Sequence, residues 1–308
     1  MSPRSILVTG ATGKQGNATI NALLELSTPF TILAVTRDAS SSAAKALVSK
    51  SPLIKLVEGN LNDVPTLLST ARSVNNNQPI WGVFAVLTSL GPGVTPESEI
   101  AQGKALISGA VSSGVNYFVY TSVERGGDAA SWDNETPIPH FQTKLVLEKY
   151  LKETAGNKMD WCIIRPVAFM DNLEPGMKTA VFMTALRNWL GEEKKLQWVA
   201  TRDVGVFAAM AFEKSDEWKG RAFGIAGDEL TMGQLGDAFR RATGQEAPSA
   251  WWGLGTLLTG VVGELRAMIG WFASGGYKAD VEARRREHPG LLTMEEWLVD
   301  ESKFVARA

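Results

Sequence analysis

The sequence predicts an α/β protein: a doubly wound, Rossmann-type parallel sheet followed by a smaller, mostly helical C-terminal lobe. Two observations support this fold class. Six short apolar runs recur along the first half of the chain, and segments of helical length separate them. The runs are β-branched and almost continuously hydrophobic, as strands of a parallel sheet covered on both faces must be. Repeated alternation of this kind is typical of a doubly wound fold.

The elements of the first half can be placed in order. The predicted strands are SILVTG from residue 5, FTILAVTR from 30, IKLVEG from 54, WGVFAVL from 81, NYFVYTS from 116 and DWCIIRP from 160. Helices are expected at about residues 14–25, 40–50, 63–72, 97–113 and 141–154. Together they predict a Rossmann domain over residues 1–166.

After Pro166 the alternation stops, and the chain becomes richer in tryptophan, methionine and glycine. We therefore expect a second, mostly helical lobe over residues 167–308 that holds a substrate or a partner. Two short strand candidates, LQWVA and RAFGIAG, predict that residues 196–226 return to the main sheet. Thr231 and Gln234 have the spacing of a capping box. Asp203 is expected to cap the helix that follows it.

The charge balance argues against a direct nucleic-acid partner. The 308 residues include 31 basic and 33 acidic side chains, and no basic stripe stands out. A single cysteine, Cys162, excludes an internal disulfide, and its apolar neighbours indicate a buried position. Two histidines and one cysteine also leave little for a metal site, and we predict none.

The chain shows no signal for secretion or for a membrane span. The N-terminus runs directly into a short strand without a secretory h-region, so a cytoplasmic location is expected. The least polar stretch, residues 250–263, is shorter than the roughly 20 residues that a bilayer span needs. It is expected to be a buried or interface helix, or a lid.

A glycine-rich loop follows the first predicted strand and predicts a dinucleotide site. In GATGKQGN, Gly10 permits the tight turn, Gly13 lets the backbone approach a pyrophosphate, and Gly16 lets helix pack on strand. The phosphates are then expected at the N-terminus of the following helix, where N–H groups and the helix dipole favour negative charge. The position directly after the first strand gives the motif its specificity.

The end of the second strand distinguishes the two nicotinamide dinucleotides. An acidic residue there accepts bonds from the 2′-hydroxyl of NAD and repels a 2′-phosphate. Arg37 lies about 20 residues beyond Gly16, where a guanidinium can pair with the 2′-phosphate of NADP(H) and stack on adenine. Lys14 can add a second positive charge. The alternative is that Arg37 is a solvated strand end and Asp38 holds the ribose of NAD.

With these residues in view, the chain resembles the NmrA-like family of atypical short-chain dehydrogenase/reductase proteins over nearly its whole length. The blocks that carry the resemblance are VTGATGKQG, VEGNLND at 57–63, EIAQGKALISGAVSSGVNYFVYTSV at 99–123, HFQTK at 140–144, IIRPVAFMDNL at 163–173 and HPGLLTMEEWL at 288–298. The resemblance implies an NADP-preferring Rossmann domain with a small C-terminal lobe. It also implies either of two activities, because members include reductases of quinones or secondary-metabolite carbonyls and co-regulators that bind the cofactor without turnover.

The resemblance also implies roles for individual residues. The pyrophosphate loop corresponds to Gly10, Thr12, Gly13, Lys14, Gln15 and Gly16, and the 2′-phosphate contact to Arg37. Asn60 and Leu61 correspond to the pair along adenine, Thr88 to a position near the ribose, and Lys144 to the lysine that reaches the nicotinamide ribose. Phe169–Asn172 corresponds to the segment that closes over the nicotinamide.

His140 and Lys144 are the candidate catalytic residues. Active short-chain dehydrogenases pair a tyrosine with a lysine four residues later, and His140 stands in the tyrosine's place. A histidine is a competent general acid near neutral pH, and Lys144 can also donate a proton or polarise a water. The alternative is that Lys144 only anchors the ribose and His140 caps the helix or packs under the cofactor. Ser122 falls short of the usual position of the residue that orients a substrate carbonyl.

Two functions are therefore consistent with the sequence. In the first, an NADPH-dependent oxidoreductase reduces an apolar, aromatic, quinone or enone-type carbonyl compound under an aromatic-rich roof. In the second, a non-catalytic NADP(H)-binding redox sensor or transcriptional co-regulator acts through a protein partner. The aromatic residues considered for either surface are Phe169, Trp189, Trp251, Trp252, Trp271, Phe272 and Tyr277, together with Met170. A third interpretation places these side chains in the core.

Overall fold

The apolar runs of the first half form one sheet in the computed structural model, which describes residues 3–253 and 263–305. Its strands are β1 Ser5–Val8, β2 Thr31–Thr36, β3 Ile54–Glu58, β4 Gly82–Ala85, β5 Tyr117–Thr121, β6 Asp160–Pro166 and, later in the chain, β9 Arg221–Ile225. The order across the sheet is β3-β2-β1-β4-β5-β6-β9. Pairing from β3 through β6 is parallel, which confirms the doubly wound arrangement.

Helices cross between consecutive strands of this sheet. They are α1 Lys14–Glu25, α2 Ser42–Val48, α3 Val64–Val74, α4 Pro96–Ser112 and α5 Pro139–Ala155. The predicted strands and helices of the first half are confirmed, and the helices agree within about two residues at each end. Every residue of β1, β4 and β5 is buried, which explains why these strands are apolar without alternation. Cys162 is buried in β6, as expected.

The second half of the chain contributes a small sheet and further helices. The sheet has the order β10-β8-β7, with β7 Ala168–Phe169 parallel and β10 Asp228–Leu230 antiparallel to β8 Leu196–Val199. The helices are α6 Met177–Leu190, α7 Thr201–Glu213, α8 Ser215–Trp218, α9 Met232–Thr243, α10 Gly263–Ser274, α11 Val281–Glu287 and α12 Met294–Asp300.

The chain divides into two units. The first unit comprises Met1–Ser122, Thr143–Arg165 and Val204–Ala222, and the second comprises Val123–Gln142, Pro166–Asp203 and Phe223–Ala308. Within the first unit, α7 approaches α1 so closely that a Cβ at Gly205 would lie 2.4 Å from the backbone carbon of Ala18. The close packing of α7 on α1 thus requires a residue without a side chain at Gly205, opposite the helix that follows the glycine loop.

Two expectations about helix starts have different outcomes. Thr231 and Gln234 form the predicted capping box of α9. The prediction for Asp203 is wrong, because α7 begins at Thr201 and the Thr201 N–H donates to Asp171 Oδ2 at 2.8 Å. Asp203 instead accepts a hydrogen bond from the Leu292 N–H, and burial raises the pKa of its carboxyl group to about 7.

The helices that the structure describes include none that is long and apolar enough to cross a membrane. The expected buried helix or lid at residues 250–263 falls largely on residues 254–262, which lie outside the described part of the chain.

Candidate cofactor and active site

The glycine loop connects β1 to α1 and has little room for side chains. Gly10 has a φ of +57°, and its carbonyl accepts a hydrogen bond of 2.9 Å from the Gly13 N–H. A Cβ at Gly16 would lie 2.2 Å from the Gly10 oxygen, so no other residue fits there without moving the turn. The turn and packing roles predicted for Gly10 and Gly16 follow from this geometry.

The start of α1 has the features of an anion site. Gly13 occupies the N-cap position and, as a glycine, provides no side-chain cap for the first-turn N–H groups. Thr12, Gly13 and Lys14 are all exposed. Amide donors, the positive end of the helix dipole and a lysine therefore meet at one accessible point, which suits a pyrophosphate.

Hydrogen bonds from neighbouring strands hold the loop in position. The Thr121 hydroxyl at the end of β5 donates to Gln15 Oε1 at 2.6 Å. The Thr9 hydroxyl donates to the Val86 carbonyl and accepts from the Val86 N–H, both at 2.9 Å. These contacts join the ends of β1, β4 and β5 around the loop. Thr9 and Thr121 carry no motif of their own in the sequence; the signal that could have identified them is their position at the ends of two predicted strands.

The end of β2 presents a cation and a carboxylate with different surroundings. Arg37 is exposed, and its side chain makes no ion pair or hydrogen bond with any residue the structure describes. Asp38 Oδ1 accepts from the Ser40 N–H at 2.8 Å and from its hydroxyl at 2.6 Å, and these bonds lower the pKa of Asp38. Glu58 Oε2 accepts from the Ala39 N–H at 3.2 Å. Asp38 and Glu58 thus shape the loop, whereas Arg37 projects from it.

The residues expected along the adenosine follow β3 and β4. Asn60 is exposed and Leu61 half-buried directly after β3, and Asn60 Oδ1 accepts from the Asn62 N–H at 2.8 Å. Thr88 is exposed after β4. Since β1 to β4 are neighbouring parallel strands, the glycine loop, Arg37, Asn60 and Thr88 all follow carboxyl ends at one edge of the sheet. The chain direction across the sheet reverses between β1 and β4, where open α/β sheets bind their ligands.

Lys144 lies on α5 within a buried polar cluster. Its Nζ is 2.5 Å from Glu99 Oε1 and 3.4 Å from the Leu87 carbonyl oxygen. Glu99 also accepts from the hydroxyls of Ser89 at 2.9 Å and Thr143 at 2.7 Å. Burial lowers the pKa of Lys144, and the adjacent Glu99 carboxylate opposes that effect. Glu99 could not be recognised from the sequence as the partner of Lys144, because a glutamate in the first turn of a helix is usually exposed and interacts with the helix dipole.

A second buried cluster lies on the same helix. Arg165 donates to both oxygens of Glu148, at 3.1 Å from Nε and 2.7 Å from Nη2, and both side chains are fully buried. The Ser122 hydroxyl also donates to Glu148. Ser122 therefore makes an internal contact with α5.

His140 lies in the first turn of α5 and belongs to the second unit. Its Nδ1 lies 2.6 Å from Glu264 Oε1 at the start of α10. The next residue, Phe141, is buried and packs edge-on against Trp271 of α10, with 5.5 Å between ring centroids. His140 itself meets the Phe141 ring edge-on at 4.8 Å. The imidazole is thus held on one side by an aromatic ring and at Nδ1 by a carboxylate.

The segment expected over the nicotinamide is also in the second unit. Phe169 is half-buried in β7, opposite Val199 of β8, and Asn172 is exposed at the end of a short 3₁₀ turn. Asp171, between them, anchors the turn through its bonds to Thr201. Strand pairing thus holds the backbone of Phe169, and the hydrogen bonds of Asp171 hold the turn that contains Asn172.

The aromatic residues of the second half fall into two groups. Trp271, Phe272 and Tyr277 are buried, as the core interpretation expects, whereas Trp251 and Trp252 are about two-thirds exposed. Trp189 and Trp271 also line a groove of about 570 Å³, along with Pro137, Gly263, Arg266, Ala267, Gly270 and Ser274. Its tryptophan walls suit a flat apolar ligand.

Comparisons with known proteins agree with this fold. A sequence model of the NmrA-like family matches residues 2–298. The NmrA-like family domain-containing oxidoreductase cpsB of Aspergillus campestris is 25% identical over 260 residues, which cover 78% of this chain and 73% of that protein.

Two solved structures are similar over almost the whole chain. NmrA, a negative transcriptional regulator solved in complex with NADP, superposes with a TM-score of 0.69 at 18% identity and covers 98% of this chain and 96% of its own. The NADPH-dependent quinone oxidoreductase QOR2 of Escherichia coli, solved with NADPH, has a TM-score of 0.71 at 19% identity and covers 96% and 98%. At these identities the likeness establishes the fold.

Proposed function

The chain belongs to the NmrA-like family, and we propose that it is an NADPH-dependent oxidoreductase that reduces an apolar carbonyl compound of the aromatic, quinone or enone type. The observation that carries the proposal is the arrangement at the carboxyl ends of β1 and β2. The helix start at Gly13, the tightly packed glycine loop and the exposed guanidinium of Arg37 all lie at these strand ends. The similar protein cpsB is itself named an oxidoreductase.

The residues of the first unit fit a dinucleotide for steric and electrostatic reasons. The loop between β1 and α1 has no room for a side chain at Gly16, and the N-cap residue of α1 is Gly13, which has no side chain to compete with a phosphate for the first-turn amides. Arg37 supplies a planar cation for the 2′-phosphate, whereas Asp38 is engaged by Ser40. These features support NADP(H) over NAD(H).

We assign cofactor contacts accordingly. The pyrophosphate is assigned to Gly10, Thr12, Gly13, Lys14, Gln15 and Gly16, the 2′-phosphate to Arg37, the adenine to Asn60 and Leu61, the ribose region to Thr88 and Lys144, and the nicotinamide to Phe169 and Asn172. Lys144 has three N–H donors, and its contacts to Glu99 and Leu87 use two of them. These are the hydrogen-bond partners of Lys144 among the residues that the structure describes, and we assign the third donor to a ribose hydroxyl.

The proposed chemistry divides between cofactor and protein. When bound, NADPH would supply a hydride for the carbonyl carbon of the substrate. The protein has to supply a proton to the carbonyl oxygen, and we assign this step to His140 through its Nε2 atom, since Nδ1 is held by Glu264. Lys144 binds the cofactor and adds positive charge to the site. The groove lined by Trp189 and Trp271 supports a flat, apolar substrate.

A panel of quinones, enones and aromatic aldehydes tests the proposal. Each compound is mixed with the protein and NADPH, and oxidation is followed by loss of NADPH absorbance. We expect turnover with at least one class. Lys144→Met should abolish most of it, whereas Lys149→Met, an exposed lysine on the same helix, should not. NADPH binding without oxidation across the whole panel would contradict the reductase assignment.

A redox sensor is the second candidate function, and one observation favours it. Met177, Trp251 and Trp252 of the second unit are each about two-thirds exposed, which is unusual for large apolar side chains. The rings of Trp251 and Trp252 lie 5.5 Å apart between centroids, and this exposed apolar pair fits a protein partner. Two results would favour the sensor. The first is NADPH binding without turnover, and the second is binding of a protein partner that NADPH alters and that Trp251→Ser abolishes.

A further inference from the structure

We propose that Glu264 is the positioning residue of the His140 imidazole: it holds Nδ1–H and so makes Nε2 the atom that exchanges the proton. The inference rests on the proposed function, because it assigns a helper to the proposed acid. The two residues are far apart in the sequence, and nothing in the local pattern around His140 predicts the contact.

The chemistry of the pair fixes the tautomer. An ionised carboxylate only accepts hydrogen bonds, so the 2.6 Å contact requires the hydrogen on His140 Nδ1. The state of one ring nitrogen is set by the bond that the other makes. Nε2 is therefore the acceptor in the neutral ring and the donor in the imidazolium. A carboxylate holds a catalytic histidine in the same way in hydrolytic triads.

The surroundings distinguish this pair from an ordinary surface ion pair. The side chains of His140 and Glu264 are only 18% and 35% exposed. Helix α10 also holds the start of α5 at a second point, because Trp271 packs edge-on against Phe141. Tyr277 adds a further ring 6.3 Å from Phe141. Helix α10 thus contacts two consecutive residues of α5, His140 and Phe141.

The negative charge of Glu264 suits a histidine as the acid in place of a tyrosine. A tyrosine that gives up its proton becomes an anion, so a neighbouring lysine assists it. A histidine that donates a proton starts as a cation, for which a carboxylate is the complementary neighbour. Lys144, four residues later, has its own carboxylate at 2.5 Å in Glu99. His140 with Glu264 and Lys144 with Glu99 are thus two separate charge-matched pairs.

Kinetics on a substrate from the panel test the inference. We expect Glu264→Gln to lower kcat by about tenfold to 100-fold, with little change in KM for NADPH. The upper value is about the smallest loss expected when the general acid itself is removed. In a His140→Gln background the same substitution should cause no further loss, because Glu264 acts only through His140. Glu264→Asp should retain part of the activity. The exposed Glu282→Gln, on α11, serves as the matched control.

A readout that needs no turnover separates this inference from the proposed function. The chain has two histidines, so His288→Gln assigns the imidazole signals in a nitrogen-detected NMR spectrum. We expect His140 in the Nδ1–H form in the parent protein and a shift towards Nε2–H in Glu264→Gln. An unchanged tautomer ratio would overturn the inference, as would additive losses in the double variant. Absence of NADPH oxidation by the parent would count against the proposed function alone.

Discussion

The Nζ atom of Lys144 lies 2.5 Å from Glu99 Oε1, and both side chains are more than nine-tenths buried. The lysine assigned to the cofactor is thus half of an internal ion pair, and the Glu99 carboxylate is held in turn by Ser89 and Thr143. A buried charge without its partner is costly, whereas removing both charges together costs much less. This difference makes the pair accessible to a double-mutant cycle.

We expect Glu99→Gln to lower the free energy of unfolding by about 3–5 kcal/mol, the range for breaking a buried pair from one side. Lys144→Met in the same background should restore part of that loss, because it removes the uncompensated cation. Urea unfolding of the four proteins measures the coupling. The exposed Glu97→Gln, in the same turn of α4, should change stability by less than about 1 kcal/mol. Strictly additive losses would show that the two charges do not interact.

Arg37→Glu should weaken NADPH binding roughly tenfold to 100-fold, because a hydrogen bond to a charged group contributes about 1.5–3 kcal/mol. NADH has no 2′-phosphate, so its affinity should change far less. Calorimetric titration of both cofactors measures the difference. Arg72→Glu carries the same charge change on an exposed position of α3. Equal losses for NADPH and NADH would remove Arg37 from the 2′-phosphate site.

Gly16→Ala and Gly13→Ala should fail in different ways. A Cβ at Gly16 meets the Gly10 oxygen at 2.2 Å, so the turn must move and thermal stability should fall. A Cβ at Gly13 meets the same oxygen at 3.2 Å and points to an exposed position, so folding should largely persist while cofactor affinity falls. Thermal melts with and without NADPH separate these effects. Similar melting curves and affinities for both variants would contradict the roles given to the two glycines.

Asp203→Asn should stabilise the protein progressively as pH rises. Burial raises the pKa of Asp203 from 3.8 to about 7, so between these values the folded chain retains a proton that the unfolded chain has lost. The parent protein therefore loses stability across this window, and the neutral asparagine does not. The imidazole of His288 lies 3.8 Å from the Asp203 carboxylate, and burial lowers its pKa. His288 therefore makes the folded protein more stable as pH rises towards the usual pKa of histidine, which is opposite to the effect of Asp203.

The measurement is the melting temperature of parent and variant between pH 4 and pH 8. We expect the melting temperature of Asp203→Asn to rise relative to that of the parent as pH increases over this range. Each kcal/mol of unfolding free energy that the parent loses corresponds to a difference of about 2–4 °C. The exposed Glu193→Gln should show a constant offset. An Asp203→Asn curve parallel to that of the parent would mean that this carboxyl group does not titrate on folding.

The sheet and the glycine loop could be predicted because each leaves a local pattern. Continuous apolar runs mark β1, β4 and β5, which are buried along their whole length, and three glycines mark the turn into α1. These signals depend on residues within one element, so each can be recognised without knowledge of the tertiary structure. The predicted bounds of α1 agree with the structure at both ends for the same reason.

The charge pairs of the candidate site could not be predicted, because their partners come from distant segments. Glu99 has the sequence context of an ordinary first-turn glutamate, and Glu264 follows an apolar stretch with no motif of its own. The wrong prediction for Asp203 has the same origin. The residue that accepts from the Thr201 N–H is Asp171, and only tertiary structure brings it to the start of α7.

The interleaving of the two units limits how this chain can be divided. The backbone passes between them after residues 122, 142, 165, 203 and 222, so each is assembled from three separate stretches. No contiguous gene fragment encodes either one. A chimera that exchanges the second unit with that of a relative therefore needs several joined crossovers. Four of the five passages lie inside α5, β6, α7 and β9, so each crossover has to preserve a helix or a strand that both units share.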